Sequence, residues 1–174
     1  MSELALPLVF YVFAALSVVG ALGVITLRSP VHCALSLAVV FVSLAVMYVL
    51  LSAPFIAVAQ IMIYAGAILV LFLFVIMVLN PRLEIGEGPL RGQQLAAAIA
   101  GLALVVVLGV ALLGGQLSAA VGPYTAEVIA RQGDTQIIGG LLFTNFLLPF
   151  EITSLVLIVA IVGVISLARG RGRG

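Results

Sequence analysis

Apolar residues fall into five long runs, separated by short clusters of proline, glycine, arginine and other polar residues. The runs cover about Leu4 to Leu27, Val31 to Ser52, Phe55 to Leu79, Leu95 to Leu113 and Leu147 to Ala168, the last with a start as early as Leu141 left open. Breaks stand at Arg28-Ser29-Pro30, at Pro54, at Asn80-Pro81 and at Gly114-Gly115. A helix crossing the hydrocarbon core needs about 20 predominantly apolar residues. Within lipid the backbone must satisfy its own hydrogen bonds, so runs this long and this uncharged predict helices. Alternating strands of about ten residues, the mark of a membrane β-barrel, are absent from the sequence. The fold class is therefore all-α, a polytopic membrane protein with five transmembrane helices in a single membrane domain.

Composition narrows the picture further. Of 174 residues, 65% are hydrophobic and 7% charged, where a soluble domain is nearer half apolar and a quarter charged. Five spans use roughly 100 residues, which leaves no stretch for a Rossmann unit, a zinc module or a nucleic-acid domain. Seven arginines, no lysine and six acids are nearly balanced, and nothing points to a nucleic-acid partner. The single Cys33 excludes an internal disulfide and a cysteine-held iron–sulfur cluster in this chain. The first run is read as a span rather than a cleaved signal peptide: Glu3 precedes it, no basic residue does, and no hydrophilic mature domain follows.

Arginine placement predicts orientation. With five helices, Arg28, Arg82, Arg91, Arg169, Arg171 and Arg173 share a side with the C-terminus, and only Arg131 lies opposite. Cytoplasmic loops are enriched in basic residues, so the N-terminus is expected outside and the C-terminus in the cytoplasm. The short turn between the second and third helices makes them antiparallel neighbours. Asn80 to Gln94, with two prolines, three glycines and four charges, is expected to be an irregular cytoplasmic loop. The long polar stretch 114–140, on the opposite side, is expected to have a task of its own, often resting on a partner subunit. No internal repeat of the kind found in many secondary transporters is visible.

Polar groups inside the spans are few. Gln60 and Tyr64 on the third helix are four residues apart, a spacing that shares one face of an α-helix. Beside them lies the small-residue run Ala65-Gly66-Ala67. A glycine inside a helix costs roughly 1 kcal/mol relative to alanine and calls for a reason. One reason is close packing against another helix. The other is a weak point in the hydrogen-bond ladder, where a π-bulge or a local rotation is tolerated. Glu151 is the only acid within a hydrophobic run, a functional candidate by default. Arg169 follows it by 18 residues, roughly 27 Å of helix, which places Glu151 near the outer interface, where contact with a neighbour is the favoured reading. His32 sits at the start of the second helix, and a lone histidine makes no metal site. Ser17, Ser36, Ser43, Thr153 and Ser154 are expected to bond helix backbones or adjacent helices, and Ala97 with Gly101 forms a small-residue pair suited to packing. No nucleophile–base pair, metal set or phosphate-cradling loop is present, so a complete enzyme or pump is excluded.

The stretch from Gln60 through Tyr64-Ala65-Gly66-Ala67 to Met77 closely resembles the signature helix of subunit J of bacterial NADH:quinone oxidoreductase, respiratory complex I, whose mitochondrial counterpart is NADH dehydrogenase subunit 6. Ser29-Pro30-Val31-His32 is similar to that family's start of helix 2, and the resemblance extends over nearly the whole chain. It implies a connector in the membrane arm, between quinone-site and antiporter-like subunits, with subunits of the K, A, H and N types and the lipid bilayer as partners. It implies residence in the bacterial cytoplasmic membrane. The assembled complex would hold FMN, iron–sulfur clusters, quinone and NADH, none of them on this chain. The family's third helix carries a π-bulge and is thought to rotate, opening a water wire toward glutamates of subunit K; motif position then points to Tyr64, Gly66, Ile68 and Phe72 as the gating stretch. Some members have glutamate at the position of Gln60, and the amide here excludes a protonation step at that site. Glu151 resembles a last-helix acid common in bacterial members.

Two other function classes compete with a redox-driven pump. Multisubunit cation/proton antiporters contain a related helix module, and a purely structural assembly subunit would keep helix 3 rigid. The electron donor and the quinone type bind elsewhere and are not specified by this chain.

Overall fold

The computed structural model describes residues 2–79, 91–114 and 122–169. It contains α1 (Ser2–Thr26), α2 (Pro30–Leu50), α3 (Pro54–Leu79), α4 (Arg91–Leu113), the short α5 (Ala126–Gln132) and α6 (Asp134–Phe143), and α7 (Leu147–Arg169). Among the described residues there is no strand, and five helices (α1 to α4 and α7) are long and apolar enough to cross a membrane. The five expected spans are thus in place, each within a few residues of its sequence bounds. Two differences concern the loops. Residues 80–90 of the expected irregular loop lie outside the described residues, but Arg91 to Gln94 already belong to α4. Of the stretch 114–140, expected to be a loop, residues 115–121 lie outside the described residues, whereas 126–132 form α5 and 134–140 belong to α6. Glu127 in the first turn of α5 and Arg131 in its last turn suit the helix dipole, a local signal present in the sequence.

Proline and one unusual serine set the starts and stops. Pro30 and Pro54 occupy the first helical position of α2 and α3, where a missing N–H costs nothing. At the end of α2, Ser52 N–H donates to Val49 O at 3.0 Å and Ala53 N–H to Tyr48 O at 2.9 Å. This is the paired bonding of a Schellman stop, with Ser52 in the left-handed region at φ 61° where glycine is usual. The chain then reverses within three residues, and α2 and α3 pack antiparallel, as expected.

The core lies among α1, α2 and α3. It is built from small side chains: Ala34, Ser43, Ala45 and Ala57 are buried together with Leu69 and Gln60. Without a hydrophobic driving force between helices in lipid, close backbone approach through small residues is what holds such a bundle. The tightest place is α1 on α2. A Cβ on Gly20 would stand 2.9 Å from Val40 Cγ2 and 3.2 Å from Ser36 O, and one on Gly23 would stand 2.9 Å from Ser36 Oγ. The small-residue pair expected to pack on α4 does not do so here, since nothing approaches Gly101 within 4 Å. Four of the five hydroxyls bond helix backbones as expected, while Ser36 instead places its Oγ against Gly23 of α1. Ser17 Oγ donates to Ala14 O, Ser43 Oγ to Val39 O, Thr153 Oγ1 to Phe150 O and Ser154 Oγ to Glu151 O, at 2.7–2.9 Å.

Among the described residues α4 touches no other helix, and α7 meets only α6, with Phe143 and Phe150 edge-to-face at 5.0 Å. Helix α6 in turn reaches α3. The Asp134 carboxylate accepts a 2.7 Å hydrogen bond from the Phe55 N–H. Part of the 114–140 stretch thus rests on α3 of the same chain.

Candidate functional site

The stretch singled out on helix 3 departs from α-helical geometry. Residues Pro54–Ala59 are α-helical, Gln60–Ile68 form a nine-residue π-helix, and Leu69–Leu79 return to α. In the π register each N–H reaches the carbonyl five positions back, and the last such bond runs from Leu69 N–H to Tyr64 O. π turns occur mostly as single-turn bulges, so this length is itself unusual. No proline lies inside the segment, and two alanines and one glycine follow Tyr64.

Gly66 lies in the second half of the π segment. Its N–H faces Ile61 O in the π pattern, and a Cβ built there would lie 3.2 Å from that same oxygen. No other helix comes within 4 Å of that position among the described residues. Of the two reasons weighed for this glycine, close packing on a second helix is therefore not realised within the chain. The close approach is to its own backbone.

Gln60, the first π residue, is 8% exposed, whereas Tyr64 is 49% exposed. Four residues still come close to one turn in the wider π register, so the two lie near one face of α3 and differ in burial. The other helix that touches the π segment is α2, and the Tyr64 ring lies edge-on to Phe41 of α2, with centroids 5.7 Å apart and planes at 62°. Phe41 was missed by sequence reasoning, because a run of apolar residues gives no sign of which aromatic faces a neighbouring helix. Ile68 closes the π segment and Phe72 follows one α-turn later, both about half exposed. Glu151 is not brought to this site. It is exposed in the early turns of α7, which is packed only on α6. His32 is exposed in the first turn of α2. Among the described residues no three His, Cys, Asp or Glu side chains gather as a metal site.

Chemically, Gln60–Ile68 offers one amide and one phenol in an apolar setting, with no carboxylate, amine or imidazole. Such a stretch can order water and change shape, but it cannot hold a mobile charge. A profile of the NADH-ubiquinone/plastoquinone oxidoreductase chain 6 family matches residues 20–167, a range that includes the whole π segment. The chain belongs to this family. Similar proteins include the chloroplastic NAD(P)H-quinone oxidoreductase subunit 6 of Nephroselmis olivacea, 44% identical over 150 residues, covering 86% of this chain and 85% of the relative. Chain 6 of the Leptolyngbya boryana NAD(P)H-quinone oxidoreductase is 39% identical, covering 92% and 78%. NADH-quinone oxidoreductase subunit J of Rickettsia bellii is 33% identical, covering 93% and 80%. As a member of the chain 6 family, the protein is a multi-pass membrane subunit of an oxidoreductase complex. The resemblance seen in helix 3 and the family match agree.

Proposed function

We propose that this chain is a connector in the membrane arm of a proton-translocating NADH:quinone oxidoreductase, and that α3 couples quinone reduction to proton movement by changing register. The observation that carries the reading is the π segment at Gln60–Ile68, which contains Gly66. Passing from π to α register shifts the ladder by one residue. That turns one half of the helix against the other by about 100°, the angle per residue of an α-helix. Phe72, beyond the segment, would then face a different neighbour, and a water path beside Gln60 and Tyr64 would open or close. The titrating groups on such a path belong to adjacent subunits of the K, A, H and N types, and the flavin, iron–sulfur clusters and quinone site belong to other subunits of the complex. In this reading the protein sits in a bacterial cytoplasmic membrane, N-terminus outside, as the six-to-one division of arginines supports. Glu151 serves as a contact to a neighbouring subunit near the outer interface. The test is Gly66→Leu in the intact complex, quantified by its flavin and iron–sulfur content. Loss of NADH-driven proton uptake by inverted vesicles with assembly retained is the expected result; an assembled complex that pumps as before overturns the proposal.

A further inference from the structure

The Asp134–Phe55 bond joins residues 79 apart in sequence and reaches the one helix that carries the π segment. Helix α3 starts poorly provided with caps. Ala53, at its N-cap position, has no side-chain acceptor, and Pro54 brings no N–H. The Ala57 N–H finds Ala53 O, at 3.1 Å. The Phe55 N–H takes its partner from α6, where Asp134 is itself the first helical residue, after Gly133 with φ 85°. One carboxylate thus stands at the positive ends of two helices, an arrangement that favours negative charge at both. The contact lies at the edge of a groove of about 380 Å³ between the α2–α3 turn and α5, lined by Ser52, Pro54, Ile129 and Ala130 among others.

We infer that Asp134 is a positioning residue that pins the Pro54–Ala59 half of α3, so that a register change at Gln60–Ile68 turns the Leu69–Leu79 half instead. The inference rests on the register change proposed above. A helix with a torsional weak point rotates about whichever end is free. The sharp Schellman turn and the Asp134 clip hold one end, only five residues before the π segment begins. Among the described residues helix α7 packs only on α6, so the clip also links the last span to the third.

The experiment is hydrogen exchange of the assembled complex, read by mass spectrometry over residues 54–68, with the proton-to-electron ratio measured on the same membranes. Asp134→Ala is expected to speed exchange over 54–59 by about three- to tenfold, as loss of an N-cap does, and to lower the ratio. Asp134→Asn keeps an acceptor oxygen and is expected to restore most of both. Phe55→Pro deletes the donor from the other side in a first turn that tolerates proline, and is expected to match Asp134→Ala even where that variant assembles poorly. Unchanged exchange over 54–59 in both Asp134→Ala and Phe55→Pro overturns the clip. Faster exchange with an unchanged ratio, while Gly66→Leu still uncouples, overturns the pinning role and leaves the register change standing. An unchanged ratio in all of these variants removes the register change itself.

Discussion

Replacing Gly66 by alanine and then valine tests whether the π register governs coupling. The preference of a helix for alanine over glycine, roughly 1 kcal/mol, applies to the α and π registers alike and cancels between them. What does not cancel is the contact of the new Cβ with Ile61 O, 3.2 Å in the π form. That distance requires the carbonyl to yield by a few tenths of an ångström, while no other side chain or helix lies within 4 Å. A single crowded oxygen puts the penalty near the low end of overpacking, about 1 kcal/mol. Such a bias shifts a two-state balance about fivefold, since 1.4 kcal/mol is tenfold. Valine adds two γ-carbons at the same place and raises the penalty to about 2–3 kcal/mol, a shift of roughly thirty- to hundredfold. The expected outcome is a graded loss of proton uptake per NADH oxidised in inverted vesicles: mild for Gly66→Ala and severe for Gly66→Val. NADH oxidation by an artificial acceptor, which bypasses the membrane arm, stays unchanged in both. Two results would refute the reasoning: equal coupling in all three proteins at equal assembly, or greater damage from alanine than from valine.

Three further outcomes follow from packing. Gly20→Leu drives a side chain into Val40 Cγ2 and Ser36 O and is expected to separate α1 from α2 at a cost of about 1–3 kcal/mol or more, read as reduced assembled complex on native gels; the same change at Gly101, where nothing lies within 4 Å in this chain, is milder unless a partner subunit packs there. Phe41→Ala removes the edge-to-face partner of Tyr64, with a coupling energy of about 0.5–1.5 kcal/mol in a double-mutant cycle with Tyr64→Leu, measured by thermal inactivation of the complex. Ser52→Gly relieves a left-handed residue and is expected to raise the inactivation midpoint, by a stabilisation of about 1 kcal/mol; a lower midpoint would show that the Ser52 hydroxyl holds a contact that outweighs the strain.

Helix 3 shows both the reach and the edge of sequence reading. That Gly66 marks a weak point was legible, because a helix interior has a local reason to avoid glycine and the ladder that weakens there is local too. The length of the π segment was not, because a one-residue shift of the ladder leaves no periodic mark in a run that is apolar on every face. Ala97–Gly101, four apart, and Gly20–Gly23, three apart, are both small pairs at helical spacing, yet among the described residues only the second receives a neighbouring helix. Spacing tells which residues permit close approach, not which helix approaches. The helices within 126–143 were not legible because each is only 7 or 10 residues long, too short to stand out as a periodic run.

By itself the sequence determined five spans, their breaks at Pro30 and Pro54, the scarcity of charge within them and the family motif of helix 3. All of these follow from backbone groups that must be satisfied locally in lipid, within one run of chain. Tertiary structure alone decided that the core is confined to the first three helices, that Gln60 is buried while Tyr64 meets Phe41, and that Asp134 caps a helix begun 80 residues earlier. Those are contacts between distant segments, and in lipid, where apolar surface gains little by burial against apolar surface, only shape and a few hydrogen bonds choose among them.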